Sequence, residues 1–174
     1  MNSLKTILIL LALTLAGCDN GEKRNGKVPM SKENLIKANK GLVSLDKERI
    51  EAFVKRHNWD MEMSETGLWH QIYEHGTGDS AQTGKVATLK FEVSLLDGTL
   101  CYTSDSIGPK TFLIGQGGVE SGLEEAVLLM RIGDKARFIL PPHLAYGLIG
   151  DEDKIPARAT IVYNVELLKL TSNN

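Results

Sequence analysis

Alternation of apolar and polar positions governs the C-terminal part of the chain. Within residues 159–170, Ile161, Tyr163, Val165 and Leu167 fall at every second position, which predicts a strand with one buried face. Ala87, Leu89, Phe91, Val93 and Leu95 alternate with Thr88, Lys90, Glu92 and Ser94, the pattern of a half-buried antiparallel strand. Asp97-Gly98 follows as a hairpin signal, and residues 100–103 pair back. Residues 68–73 and 135–140 supply two more strands. Residues 104–110 read as a loop, and Phe112-Leu113-Ile114 as a short apolar run stopped by Gly115. After Gly117-Gly118 the period becomes helical: Val119, Leu123, Val127 and Met130 share one face. Glu120, Glu124 and Glu125 crowd the first turns, where carboxylates suit the helix dipole, and Gly133 ends the helix. About five strands and one central helix predict an α+β domain, the helix lying across one face of a curved antiparallel sheet.

Upstream, Ser31 predicts the cap of a short helix that contains Leu35 and Ile36 and stops at Gly41. Asp46 predicts the cap of a second helix, with Ile50, Phe53, Val54 and His57 at i, i+3, i+4 and i+7. That stripe needs a partner. It packs either on the sheet domain or on the same helix of a second copy, and the shortness of the segment favours the first.

Residues 141–158 cannot continue a strand. Pro141 and Pro142 lack backbone donors, Gly147 and Gly150 permit positive φ, and Ile155-Pro156 closes the segment. A loop carrying Tyr146 therefore returns to a strand carrying Tyr163. Two tyrosines brought to one side of a sheet predict a concave apolar site with a polar rim.

The run Ala145-Tyr146-Gly147, then Ile155-Pro156, then Val162-Tyr163-x-Val165-Glu166-Leu167, resembles the C-terminal half of an FKBP-type peptidyl-prolyl isomerase domain. Gly84, Asp97-Gly98, Phe112-x-x-Gly115, Gly122-x-Glu124-Glu125 and Met130-x-x-Gly133 continue the likeness upstream, over about residues 67–171. The resemblance implies an FKBP-like fold with the pocket between helix and sheet, and catalysis of rotation about Xaa-Pro bonds. Such rotation needs no nucleophile, metal or cofactor. Its barrier of about 18 to 20 kcal/mol comes from amide resonance, and the twisted amide is less polar than the planar one. A dry apolar pocket favours the twisted state, and one hydrogen bond to the carbonyl fixes orientation.

Carried over by position, the resemblance implies catalytic roles for Tyr146, Phe91 and Tyr163, with Tyr146 donating to the substrate carbonyl. It implies substrate-binding roles for Cys101, Tyr102, Lys110, Phe112, Val119, Glu120, Leu123 and Ile155. Several positions depart from the family pattern. Cys101-Tyr102 stands where members usually carry Phe-Asp, which thins an aromatic wall and removes a carboxylate that Asp105 would have to replace. Leu123 stands for a Trp floor, Lys110 for an aromatic and Glu120 for an aliphatic. A Lys110 to Glu120 ion pair at the rim contributes little if exposed. These departures keep a second reading open, an FKBP-fold binding or chaperone module of weak or no turnover within an envelope machine.

The first residues change the setting. Lys5, the apolar run 7–15 and Leu15-Ala16-Gly17-Cys18 resemble the signal peptide and lipobox of a bacterial lipoprotein. The run is too short for a transmembrane helix of about 20 residues. The predicted organisation is a signal peptide over 1–17, a polar tether over 18–30 from lipidated Cys18, a helical extension over 31–66 and the isomerase domain over 67–171. This places the domain outside the cytoplasm of a bacterial envelope, anchored to a membrane through lipid. With Cys18 acylated, Cys101 has no intrachain disulfide partner. The extension and Asn58-Trp59 also resemble FKBP-like lipoproteins of the gliding-motility apparatus.

A chain of 174 residues with 42% hydrophobic composition buries one core, and a formal charge of -2 without a basic cluster leaves no nucleic-acid footprint. His57, His70, His75 and His143 lack metal-ligand spacing, and Cys101 and His143 lie on different elements without an orienting third group. Expected partners are proline-containing polypeptides and the membrane, with a second copy through the N-terminal helix as the alternative to packing within the chain.

Overall fold

The computed structural model describes residues 31–173. The expected signal segment, Cys18 and the whole of the tether lie outside the described residues. The chain divides into two units between Leu35 and Ile36. Of the first, the described residues open helix α1 (Lys32–His57), where Ser31 Oγ accepts from Asn34 N at 3.3 Å as a cap does.

The second unit, from Ile36 onwards, carries an antiparallel sheet. Its strands are β1 (Glu62–Met63), β2 (Trp69–Glu74), β3 (Lys85–Leu95), β4 (Leu100–Thr103), β5 (Lys110–Leu113), β6 (Lys135–Leu140) and β7 (Ile161–Ser172). They run in the order β1-β2-β6-β7-β3-β4, with β5 paired to β3 off this path. The longest pairing joins β3 to β7, from Lys85 opposite Ser172 to Leu95 opposite Ile161, with a bulge at Thr88/Leu89. On the inner face Ala87, Leu89, Phe91 and Val93 meet Ile161, Tyr163, Val165 and Leu167 in one buried cluster. Helix α3 (Ser121–Val127) lays Leu123, Ala126 and Val127 on that cluster. Gly122 is required there, because a Cβ would meet Leu140 Cγ at 2.6 Å and the Leu144 carbonyl at 2.9 Å.

The sheet has seven strands where about five were expected; the additions are the two-residue β1 and β5, whose four residues are too few to show a period. The expected loop 104–110 contains a one-turn helix, α2 (Ser104–Ile107), capped by Thr103 Oγ1 on Ser106 N at 3.2 Å. Helix α3 begins only after Glu120, so Val119 precedes it.

The two expected N-terminal helices are one. α1 passes through Gly41 and Asp46 over 26 residues and ends where Asn58 turns to φ 56°. A glycine inside a helix costs only about 1 kcal/mol, too little to stop it without a left-handed turn. Asp46 is not a cap. It is buried in mid-helix and ion-paired to Arg158, Nη2 to Oδ2 2.8 Å. Ile50, Phe53 and Val54 pack within the chain on Ile139 and Val162, while His57 lies exposed, bonded to Phe53 O. Val162 and Ile139 alternate with Tyr163 and Phe138, so α1 covers the face of β6 and β7 opposite to α3.

Asp134 holds the turn before β6. It is 1% exposed and accepts from Gly76 N at 2.7 Å and Arg131 N at 2.8 Å. Asp134→Ala leaves both donors unpartnered and is expected to cost about 3 kcal/mol. Urea denaturation measures this, and a loss below about 1 kcal/mol would mean that water replaces the carboxylate.

Candidate functional site

Six stretches converge above the inner face of the sheet. β3 supplies Phe91, β4 supplies Cys101 and Tyr102, and β5 supplies Lys110 and Phe112. Val119 and Glu120 enter from the turn before α3, and Leu123 from α3 itself. Tyr146 follows a 3-10 turn (Pro142–Leu144) made possible by Pro142 at its start, and Tyr163 stands on β7.

Phe91, Cys101, Phe112, Leu123, Ile155 and Tyr163 are all buried core. The Phe91 and Tyr163 rings lie 6.3 Å apart and tilted. Above them sits a closed polar triangle. Lys110 Nζ donates to Tyr163 Oη at 3.0 Å, Tyr163 Oη donates to Glu120 Oε1 at 2.8 Å, and Lys110 Nζ lies 3.4 Å from Glu120 Oε2. The Glu120 side chain is 5% exposed and Lys110 24%. Lys110 Nζ also stands 5.5 Å from the Phe91 ring centroid and 5.6 Å from that of Tyr163, within cation–π range.

The expected rim ion pair therefore has its carboxylate buried and its ammonium partly exposed. Glu120 reaches inward because burying a carboxylate is tolerable only beside a cation and hydrogen-bond donors, and Lys110 and Tyr163 provide both. An open depression of about 420 Å³ remains, lined by Lys110, Thr111, Gly117, Gly118, Val119, Glu120 and Tyr146. Four of the proposed site residues, Lys110, Val119, Glu120 and Tyr146, thus share one surface. The apolar ones lie beneath it rather than open to solvent.

The charges follow from this packing. Burial pushes the Glu120 carboxyl up, but the Lys110 charge and the hydroxyls of Tyr146 and Tyr163 outweigh it and hold the group below its ordinary value. Tyr146 and Tyr163 are both raised, first by burial and then by Glu120, so each keeps its proton.

Tyr102 is turned to another task. Its hydroxyl donates to Asp151 Oδ2 and to Asp153 Oδ2, and the Asp151 bond, with burial, pushes it up to about 12. Asp105, the nearest carboxylate in sequence to the one the family pattern carries, does not replace it: it faces Lys90 at 3.5 Å on the surface. Asp151 is the residue that sequence reasoning missed. Its Oδ1 accepts from Asp153 N at 3.0 Å and Ile155 N at 2.7 Å, so it builds the turn that closes the Tyr146 loop. The signal was present in Gly150-Asp151-x-Asp153, since aspartate commonly accepts from the backbone two residues on. Glu124 lies in the first turn of α3 as expected, and it also accepts from Gly115 N at 2.6 Å and Gly117 N at 3.0 Å and shapes the depression's edge.

Cys101 and His143 do not meet. The thiol, raised by burial and then by Asp151, approaches the carbonyls of Thr99 and Lys154 at 3.7 Å, while His143 Nε2 lies 2.9 Å from Thr66 O. Among the described residues no group of three His, Cys, Asp or Glu side chains is arranged to hold a metal.

A bent antiparallel sheet closed over a short helix, with a tyrosine-bearing loop above its aromatic floor, is the architecture of the FKBP class, and the sequence comparison agrees. Residues 78–168, just over half the chain, match the family described as FKBP-type peptidyl-prolyl cis-trans isomerase, and the chain belongs to that family. It is 33% identical over 138 residues to the probable FKBP-type isomerase FkpA of Neisseria meningitidis, covering 78% of this chain and 50% of that protein. It is 39% identical over 108 residues to FkpA of Aeromonas hydrophila, covering 62% of this chain and 39% of that one. The chain thus spans half or less of the length of these curated relatives. The crystal structure of FkpA from Escherichia coli superposes with a TM-score of 0.65 at 28% identity, over 80% of this chain and 65% of that one. That of AtFKBP13 gives 0.61 at 28% identity, over 63% of this chain and 98% of that one.

Proposed function

We propose that the chain is an FKBP-type peptidyl-prolyl cis-trans isomerase, held on a bacterial envelope membrane through lipidated Cys18 and acting on Xaa-Pro bonds of polypeptides outside the cytoplasm. The observation that carries this is the placement of Tyr146. It is half-buried, keeps its proton and lines an open depression above the Phe91–Tyr163 floor, where a substrate carbonyl would compete with the Glu120 carboxylate for its hydroxyl. Phe91, Tyr163, Leu123 and Ile155 supply the low-polarity surroundings in which a twisted amide is favoured over a planar one. No step requires a proton transfer or a covalent intermediate.

A second reading has its own support. The Lys110–Glu120–Tyr163 triangle occupies the space above the floor, and Leu148 and Ile149, at 72% and 75% exposed, form an apolar tip on the Tyr146 loop. Both suit a module that grips polypeptide segments, within an envelope machine, without fast turnover.

A protease-coupled assay on short Xaa-Pro peptides separates the two. The parent chain is expected to exceed the uncatalysed rate, and Tyr146→Phe to lower kcat/KM about tenfold, the worth of one hydrogen bond made in the transition state. A parent rate equal to the uncatalysed one leaves the binding module. Mass analysis of the mature N-terminus tests the anchor; an unmodified Cys18 removes it.

A further inference from the structure

The loop that carries Tyr146 is tied to a helix on the other side of the sheet. Arg158 donates its backbone N–H to Gly147 O at 3.0 Å, the residue after Tyr146. Its guanidinium reaches across to Asp46 of α1 at 2.8 Å. Arg158 holds φ 58°, a left-handed conformation that a non-glycine residue keeps only where its surroundings impose it. Asp46, 6% exposed, is a poor helix-interior residue, and its burial would cost stability without a cation. Packing alone would be better served by an apolar side chain at that position. The nearest lysine in sequence, Lys47, is engaged with Glu51 at 3.7 Å, so the partner of Asp46 is Arg158. α1 in turn is fixed to β6 and β7 by Ile50, Phe53 and Val54.

We propose that Asp46 and Arg158 are positioning residues: through their ion pair α1 sets the backbone at position 158 and with it the loop that presents Tyr146 to the depression. The consequence for turnover rests on the isomerase reading above; the consequence for Tyr146 does not. Neither residue lines the depression. The pair gives α1 a role at a site it does not touch.

The test uses the full chain with Asp46→Asn, Arg158→Asn and the double variant, asparagine being chosen at 158 because it accepts a left-handed φ. Three quantities are read: hydrogen exchange of the amide at position 158, the ring resonances of Tyr146, and kcat and KM on an Xaa-Pro peptide. Each single variant is expected to speed that exchange about tenfold, to move the Tyr146 resonances and to lower kcat/KM about fivefold. The double variant should be no worse than either single one, because both remove the same link. A merely structural pair would lower the melting temperature and leave the Tyr146 ring and kcat/KM unchanged below the transition; that result, or additive losses in the double variant, overturns the proposal. A parent chain without turnover defeats the isomerase reading alone, and the exchange rate and ring resonances then decide the proposal by themselves.

Discussion

Lys110→Met will destabilise the folded chain by about 3 kcal/mol, whereas Lys110→Met combined with Glu120→Leu will fold within about 1 kcal/mol of the parent. The asymmetry comes from where the charges sit. The Glu120 side chain is 5% exposed, so removing Lys110 leaves a carboxylate with little water and only hydroxyl partners. Removing both charges takes away the attraction and the desolvation cost together. The pH dependence has a definite sign. The folded Glu120 carboxyl is held below its ordinary 4.5, so the parent gains stability that is present above that value and is lost as pH falls through the folded value. Lys110→Met removes the charge that depresses it, so the gap between this variant and the parent should narrow as Glu120 takes up a proton in acid. Urea denaturation at about pH 7 and about pH 4 measures both statements. Equal losses in the single and double variants would mean that the ion pair itself, rather than the stranded carboxylate, carries the energy. The double variant also leaves an apolar surface in place of the charges above Phe91 and Tyr163, and on the isomerase reading its kcat/KM should rise severalfold.

The sheet could be read from the sequence because a half-buried strand writes its own period. Ile161, Tyr163, Val165 and Leu167 alternate, as do Ala87, Leu89, Phe91 and Val93, and all eight are buried on the same face. Val162 shows the limit of that reading. It breaks the alternation by being buried on the other face, a consequence of α1 packing there, which no local pattern around 162 records. Local signals misplaced α1 itself for a related reason. Gly41 and Asp46 look like a stop and a cap, and what carries the helix through Asp46 is Arg158, 112 residues away.

The site divides in the same way. Its positions were legible as motif residues, since Tyr146, Phe91 and Tyr163 fall at fixed spacings. Its chemistry was not, because the triangle joins residues 10, 43 and 53 apart in the chain. Only three elements folded together show that Lys110 neutralises a Glu120 carboxylate that is buried rather than free at the rim. Asp151 stands between these cases: its turn is local and readable, while its bond to Tyr102 spans 49 residues and is not.

Gly150→Ala will cost about 3 kcal/mol and loosen the Tyr146 loop, while Gly147→Ala, three residues earlier, will cost only about 1 kcal/mol. Both glycines hold positive φ, 64° at Gly147 and 78° at Gly150, so both variants carry left-handed strain of about 1 to 2 kcal/mol. The difference lies in the space each Cβ would enter. At Gly147 nothing stands within 4 Å. At Gly150 a Cβ would lie 2.2 Å from Ile155 O, 2.7 Å from Pro156 C and 2.9 Å from Pro156 O. These are backbone atoms of a proline-closed turn and cannot swing aside as the end of a side chain can. Relief requires the 150–156 turn to open, which breaks the 3.0 Å bond from Asp151 N to Ile155 O and draws Ile155, 2% exposed, out of the core. The hydroxyl of Tyr102 then loses the Asp151 carboxylate to which it donates. Urea denaturation of the two variants side by side reads the difference, and amide exchange at Ile155 reports the opening directly. Equal costs for the two substitutions would mean that the turn gives way freely, and a loop so compliant could not hold Tyr146 in a fixed place over the depression.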